Sequence, residues 1–238
     1  MDETVSHKLL DFIRDQEGSD QPWFTYWGMR VGHRPFNTPE RYRNTTEAGV
    51  LGEMIAEADD YVGNIFQTLE ETGQANNTLI ILMSDNGADG SDKLNQDLFG
   101  HTQNAIDLRG EPVILRGQKN WNWEGGHRLP FMWWLPSQFA PQMVENKVVS
   151  YVDVYRTLTD LAGYEAPCNE APDSRSLLPF MKGESDTIEG HPWILTHAPF
   201  GGTVAFRVGR WKLIPDIEEF YYIRLDPAEQ NNLWEDPA

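Results

Sequence analysis

Between Leu51 and Leu69 the apolar residues Leu51, Met54, Ile55, Ala58, Val62, Ile65, Phe66 and Leu69 recur at helical spacing. Glu53, Glu57, Asp60 and Glu70 lie largely off that stripe, so the spacing predicts an amphipathic helix with one face on a core. Gly73 is a natural stop. Thr78-Leu79-Ile80-Ile81-Leu82-Met83-Ser84 then reads as a continuous apolar strand, the kind found mid-sheet between helices. Helix followed by buried strand is the alternation of an α/β domain.

The rest of the chain extends that reading. Leu9, Leu10, Phe12 and Ile13 predict an opening helix ended by Gly18-Ser19-Asp20. Its first turn, Met1 to Thr4, is acidic and polar, without the basic and apolar regions of a secretory leader. The aromatic run Trp23 to Met29 has strand composition and is expected to be buried on both faces. Arg30 to Arg43 reads as an irregular loop. Asp85 to Arg128 lacks periodicity, and a loop of that length inside a domain is usually functional. Leu129 to Leu135 reads as a strand and Val148 to Leu161 as a second amphipathic helix.

Beyond a Pro-, Asp- and Ser-rich stretch to Gly190, short strands are predicted over Trp193–Thr196, Thr203–Val208, Arg210–Ile214 and Phe220–Leu225. Gly209-Arg210 suits a hairpin turn between two of them. The expected organisation is an α/β part over 1–190 and a small antiparallel β subdomain over 191–238.

Composition narrows the function. Of 238 residues, 37 are acidic and 19 basic, a net charge of -18 that argues against nucleic acid as a partner. Hydrophobic residues at 39% are too many for a disordered chain, and one cysteine excludes a disulfide framework or a thiolate-rich zinc site. The longest strongly apolar stretch, Phe131 to Leu135, is too short to span a bilayer, so no transmembrane segment is expected. Charge is uneven: His101 to Pro130 holds four basic side chains against three acidic ones, plus His101 and His127. Such an island can focus field where an anion sits.

Three short motifs could carry chemistry. Asp85-Asn86-Gly87 follows the apolar strand, where open α/β sheets bind ligands; its hard oxygens suit Ca²⁺ or Mg²⁺, although Asn-Gly is also a hairpin-turn signal. His33, in a loop after the aromatic run, could donate a proton to a leaving group or serve only as a surface residue. Lys119 offers a compact positive charge for an anionic group, or is simply solvated. Gly125-Gly126 permits a close backbone approach.

Taken in order, these motifs resemble the C-terminal half of the sulfatase family of the alkaline phosphatase superfamily. The likeness runs from the loop of His33 through Ser84-Asp85-Asn86-Gly87, Arg116-Gly117-Gln118-Lys119 and Trp123-Glu124-Gly125-Gly126-His127-Arg128. It continues through Asp153 to Gly163, Ser176 to Gly183, Arg207 to Ile214 and Asp226 to Leu233. The resemblance implies a partial alkaline-phosphatase-like mixed sheet flanked by helices, with a small antiparallel sheet at the C-terminal end. It implies that Asp85 and Asn86 complete a divalent-cation site, normally Ca²⁺, with Mg²⁺ as the alternative. Lys119 would contact the sulfate oxygens and His33 the bridging oxygen of the ester; His101, Arg116 and His127 would be supporting or substrate contacts.

The family's nucleophile is a formylglycine made within Cys/Ser-x-Pro-x-Arg. The only cysteine, Cys168, sits in Pro167-Cys168-Asn169-Glu170, which does not fit. The expectation is therefore a sulfuric ester hydrolase fragment, inactive alone, whose nucleophile and further metal ligands belong to a missing N-terminal half. The alternatives are a non-catalytic or pseudoenzyme fragment that binds a sulfated ligand, and a phosphodiesterase or phosphonate hydrolase of the same superfamily. The partner implied is an aryl or carbohydrate sulfate ester; Trp121, Trp123, Trp133 and Trp134 could stack on a ring, although large aromatics more often belong to the core. The family suggests a periplasmic, extracellular or lysosomal setting.

Overall fold

Helices α1 (Asp2–Asp15) and α2 (Gly49–Glu71) pack together in the first of two units, Met1–Ile80 with Ser91–His101. The computed structural model describes residues 2–47, 49–88, 112–139, 147–167, 169–185, 191–199 and 202–235, with 104–106 and 112 as backbone only. Leu10 and Ile13 of α1 and Met54 and Leu69 of α2 are buried, as the apolar stripes predict. Each such burial contributes roughly 1.5–3 kcal/mol. Ile55 of the stripe is instead 56% exposed, while Tyr61, Glu53 and Glu57 beside it are buried, because Glu57 accepts from the Tyr61 hydroxyl and Glu53 from Thr38 and the Asn44 N–H. Gly73 (φ +69) ends α2: its N–H donates to Glu70 O and that of Gln74 to Leu69 O, a Schellman closure. The Gln74 amide then donates to Ile13 O, tying this end to α1.

The aromatic run departs from expectation. Trp23 to Met29 forms no strand, and Phe24 and Tyr26 are 79% and 86% exposed. Only the first and last rings turn inward: Trp23 meets Phe12 edge-on at 5.7 Å and Trp27 meets Tyr61 at 5.8 Å. Strand composition was present, but no neighbouring strand among the described residues supplies a ladder.

The second unit comprises Ile81–Gly90 and Thr102–Ala238. Strand β1 (Ile80–Met83) pairs with β4 (Phe131–Trp134), so both apolar segments form strands as predicted. Among the described residues this ladder has only two strands, and Leu82 and Met83 are partly exposed rather than covered on both sides. Within the long loop, β2 (Asn104–Ile106) and β3 (Pro112–Ile114) pair antiparallel, and α3 (Glu124–His127) is a single turn. Elements this short leave no periodicity to read.

Helix α4 (Asp153–Leu161) is followed by the turn α5 (Leu178–Met181). Asp153, almost wholly buried, accepts from the backbone N–H of Ser150 and Arg175 and pairs with His191 Nε2 at 2.7 Å.

The C-terminal strands form an antiparallel sheet in the order β5 (Ile194–His197), β6 (Val204–Val208), β7 (Trp211–Ile214) and β8 (Glu219–Tyr222). Gly209 (φ +55) and Arg210 make the predicted two-residue turn between paired Val208 and Trp211. Pairing puts Arg207, Lys212 and Tyr221 in one row across a single face. On the other, the Trp211 ring stacks on Phe220 and meets Tyr222 at a tilt. Among the described residues no helix is long and apolar enough to cross a membrane.

Candidate active site

The loop leaving β1 is built on backbone contacts. Ser84 N–H donates to Pro130 O, while the Tyr151 hydroxyl donates to Ser84 O at 2.6 Å and Pro130 O at 3.2 Å. The Ser84 hydroxyl donates to Asn86 O, and the Asn86 side-chain amide to Gly87 O at 2.9 Å. Gly87 N–H then donates to Gly126 O at 3.1 Å, and Lys119 N–H to Ala88 O at 2.9 Å. Because β1 pairs with β4 rather than with the next strand, Asp85-Asn86-Gly87 is not a hairpin turn. Its backbone is instead joined to the loop carrying Lys119.

Three glycines allow that approach. A Cβ on Gly87 would lie 1.8 Å from Gly125 O. One on Gly125 would lie 2.5 Å from Gly117 O, and one on Gly126 2.2 Å from Trp121 O. Real Cβ contacts are far longer, so each position requires glycine because backbone meets backbone there.

The Lys119 loop is held from outside by the four-stranded sheet. Glu124 Oε1 accepts from Arg207 at 3.0 Å and Lys212 at 3.1 Å, while Lys212 Nζ lies 2.8 Å from Glu229 Oε1. Glu124 N–H, at the start of α3, donates to Glu229 Oε2 at 2.7 Å. Arg116 pairs with Glu219, donates to Tyr221 Oη at 2.7 Å, and lies over the Trp123 ring at 4.0 Å. Trp123 Nε1 donates to Glu219 and Asn122 Nδ2 to Thr203 O, each at 2.7 Å.

Burial works to raise the pKa of Glu124, but Lys212, Arg207 and Arg128 outweigh it and hold the carboxyl below its usual value. Glu229 moves the other way. Burial pushes its carboxyl up to about 7, with Lys212 only partly offsetting the penalty.

The structure brings Asp85, Asn86, Lys119 and His127 onto these two joined loops. Asp85 is exposed and makes no hydrogen bond or ion pair among the described residues; Lys119 Nζ is likewise uncommitted there. His127 reaches solvent, yet desolvation and then Lys212 hold its imidazole below the usual pKa. Arg116 is engaged with Glu219, Tyr221 and Trp123, which makes it a brace for the loop. His33 is exposed in the first unit, its Nδ1 3.0 Å from Arg34 O. His101 and Cys168 lie outside the described residues.

Tyr151, Lys212, Glu219 and Glu229 escaped the sequence reading. Their partners Ser84, Glu124 and Trp123 lie 67 to 105 residues away, and no local pattern announces them.

The donor set fits a hard cation in part. Asn86 Nδ2 is occupied by Gly87 O, which leaves Oδ1 as an acceptor beside the Asp85 carboxylate. These two side chains offer only a fraction of the roughly six to eight oxygens that Ca²⁺ takes. Among the described residues no cluster of three or more His, Cys, Asp or Glu completes the shell.

Comparison with known proteins shows the family. The family described as Sulfatase matches residues 1–164. An N-acetylgalactosamine-6-sulfatase of Rattus norvegicus is 31% identical over 184 residues, covering 77% of this chain and 32% of that protein. An N-acetylgalactosamine-6-O-sulfatase of Bacteroides thetaiotaomicron is 28% identical over 251 residues, covering 96% of this chain and 46% of that protein. A solved structure from work on glycosaminoglycan metabolism by Bacteroides thetaiotaomicron superposes with a TM-score of 0.78 at 28% identity, over 98% of this chain and 50% of that one. The chain thus spans a third to a half of the length of these relatives.

Proposed function

This chain belongs to the sulfatase family, and we propose that it carries the part of a sulfuric ester hydrolase site that binds a divalent cation and the sulfate group. The observation that carries this reading is the pair of bonds Gly87 N–H to Gly126 O and Lys119 N–H to Ala88 O. They join a loop whose hard oxygens are uncommitted among the described residues to a loop whose cation is likewise uncommitted there.

Asp85 and Asn86 would hold Ca²⁺, or Mg²⁺, through their side-chain oxygens. A cation bound there would polarise the sulfate. Lys119 offsets the charge of the non-bridging sulfate oxygens, an interaction that strengthens as negative charge develops. His33 supplies a proton to the bridging oxygen as the alcohol leaves, a role supported by the family resemblance of its loop. None of the 238 residues forms a Cys/Ser-x-Pro-x-Arg stretch, so the nucleophile comes from elsewhere and the chain alone does not turn over.

The relatives' names favour a 6-sulfated amino sugar over an aryl sulfate. Trp121 supports a ring-shaped substrate: it is 37% exposed and stacked on Trp123 at 5.1 Å, two residues from Lys119.

The test compares chain 1–238 with a longer protein that carries a Cys-x-Pro-x-Arg segment upstream, using N-acetylgalactosamine 6-sulfate. Sulfate release by the longer protein alone, abolished by EDTA and lowered by about 10²–10³ in Asp85→Ala, is the expected result. Turnover by chain 1–238 alone, or release indifferent to EDTA, would overturn the reading.

A further inference from the structure

Glu124, Lys212 and Glu229 form a buried charged cluster with no part in the chemistry proposed above, and its position relative to the two loops is specific. The Glu124 and Glu229 side chains are 10% and 0% exposed, and that of Lys212 5%. Buried charges of this kind are costly unless paired, and replacing such a group by an apolar one is often neutral for stability. Retaining three of them therefore calls for a role in specifying geometry.

The next two residues after Glu124 are Gly125 and Gly126, whose backbones touch the Asp85–Gly87 loop. Glu124 is held at both ends. Its N–H donates to Glu229 Oε2, and its carboxylate is fixed by Lys212 and Arg207 from one row of the sheet. Gly125 N–H donates back to Arg116 O at 2.8 Å, and Arg116 is itself braced by Glu219 and Tyr221.

We infer that Lys212 and Glu229 are positioning residues: acting through Glu124, they hold Gly125-Gly126 against Gly87 and so set the spacing between the Asp85-Asn86 oxygens and Lys119. The inference rests on the functional reading above for what that spacing serves. In this arrangement the C-terminal sheet is the rigid support of the site, and its charged row is the contact that transmits the support. A site needs such backing because its groups must be held within fractions of an ångström of productive geometry.

Amide hydrogen exchange on chain 1–238, without cation or substrate, tests this directly. The reporters are the Gly87 and Lys119 amides, donors to Gly126 O and Ala88 O. Protection at both is expected to fall by about tenfold or more in Glu229→Gln and in Lys212→Met. Thr157→Val is the control. It removes the hydroxyl that accepts from Leu177 N–H, elsewhere in the same unit, and lowers stability without touching either loop. If Lys212→Met does not fold, Glu229→Gln, which keeps size and an acceptor oxygen, decides alone.

Unchanged protection at Gly87 and Lys119 in Glu229→Gln would overturn the inference, as would an equal loss in Thr157→Val. Inorganic sulfate titrated into the wild-type chain judges the functional reading separately. Absence of a shift at Lys119 would remove the sulfate assignment and leave the exchange result standing.

Discussion

Gly87 donates its amide to the carbonyl of Gly126 at 3.1 Å, and the Cα of Gly87 points to where a side chain would meet the Gly125 carbonyl at 1.8 Å. That contact is the hinge of the candidate site, because the residues just before Gly87 carry the hard oxygens and the strand of loop before Gly125 carries the lysine.

Gly87→Ala should therefore force the two loops apart. Overpacking against backbone costs about 1–3 kcal/mol, and urea unfolding should show a loss of that size. Gly63→Ala is the counterpart. Gly63 lies exposed within α2 with nothing within 4 Å of its added Cβ, so alanine should stabilise by about 0.5–1 kcal/mol.

Lys119→Ala and Asp85→Ala should leave the melting temperature of the chain within about a degree or two, since neither side chain is committed to the fold among the described residues. In the longer protein with its nucleophile segment, each should lower the rate of sulfate release by about 10²–10³. Full rate in both variants would displace the site from these loops.

Stability should carry a pH signature from Glu229. Its carboxyl is raised to about 7 in the fold from a usual value of 4.5, so the folded chain keeps a proton that the unfolded chain has released. The stabilisation is present below the unfolded pKa and is lost as pH rises through about 7. Glu124, held below its usual value, has the opposite sign: its contribution is lost on acidification. Lys212 faces both carboxylates, Arg207 faces Glu124, and Arg116 donates to Glu229 O. Glu229→Gln isolates the first effect. Relative to that variant, the wild type should lose stability between about pH 5 and about pH 7.5 in urea titrations.

Trp121→Ala should raise KM for a sulfated sugar by about threefold to tenfold in the longer protein, with kcat little changed. The ring stacks on Trp123 and faces solvent, and a stacking contact is worth about 0.5–1.5 kcal/mol. Steady-state kinetics with N-acetylgalactosamine 6-sulfate would read the split; an unchanged KM would remove Trp121 from the binding surface.

Local chemistry determined much of this protein from sequence alone. The stripes of α1 and α2, the apolar runs of β1 and β4 and the Gly209-Arg210 turn are contained in short windows, because periodicity, β-propensity and left-handed glycine act over a few residues. The same holds for Asp85, Asn86 and Lys119 as candidates, whose residue types and order carry the family likeness.

Tertiary structure alone decided the rest. Trp23 to Met29 has the composition of a strand and forms none, since a strand exists only where a partner offers a ladder. Arg116 reads as a supporting or substrate contact, and that it braces a loop is decided by Glu219 and Tyr221, which reach it from more than a hundred residues away. The need for glycine at 87 is likewise invisible in sequence, and Gly125-Gly126 announces a close approach without its partner: both arise where separate backbones come within contact, a distance that only the folded chain defines.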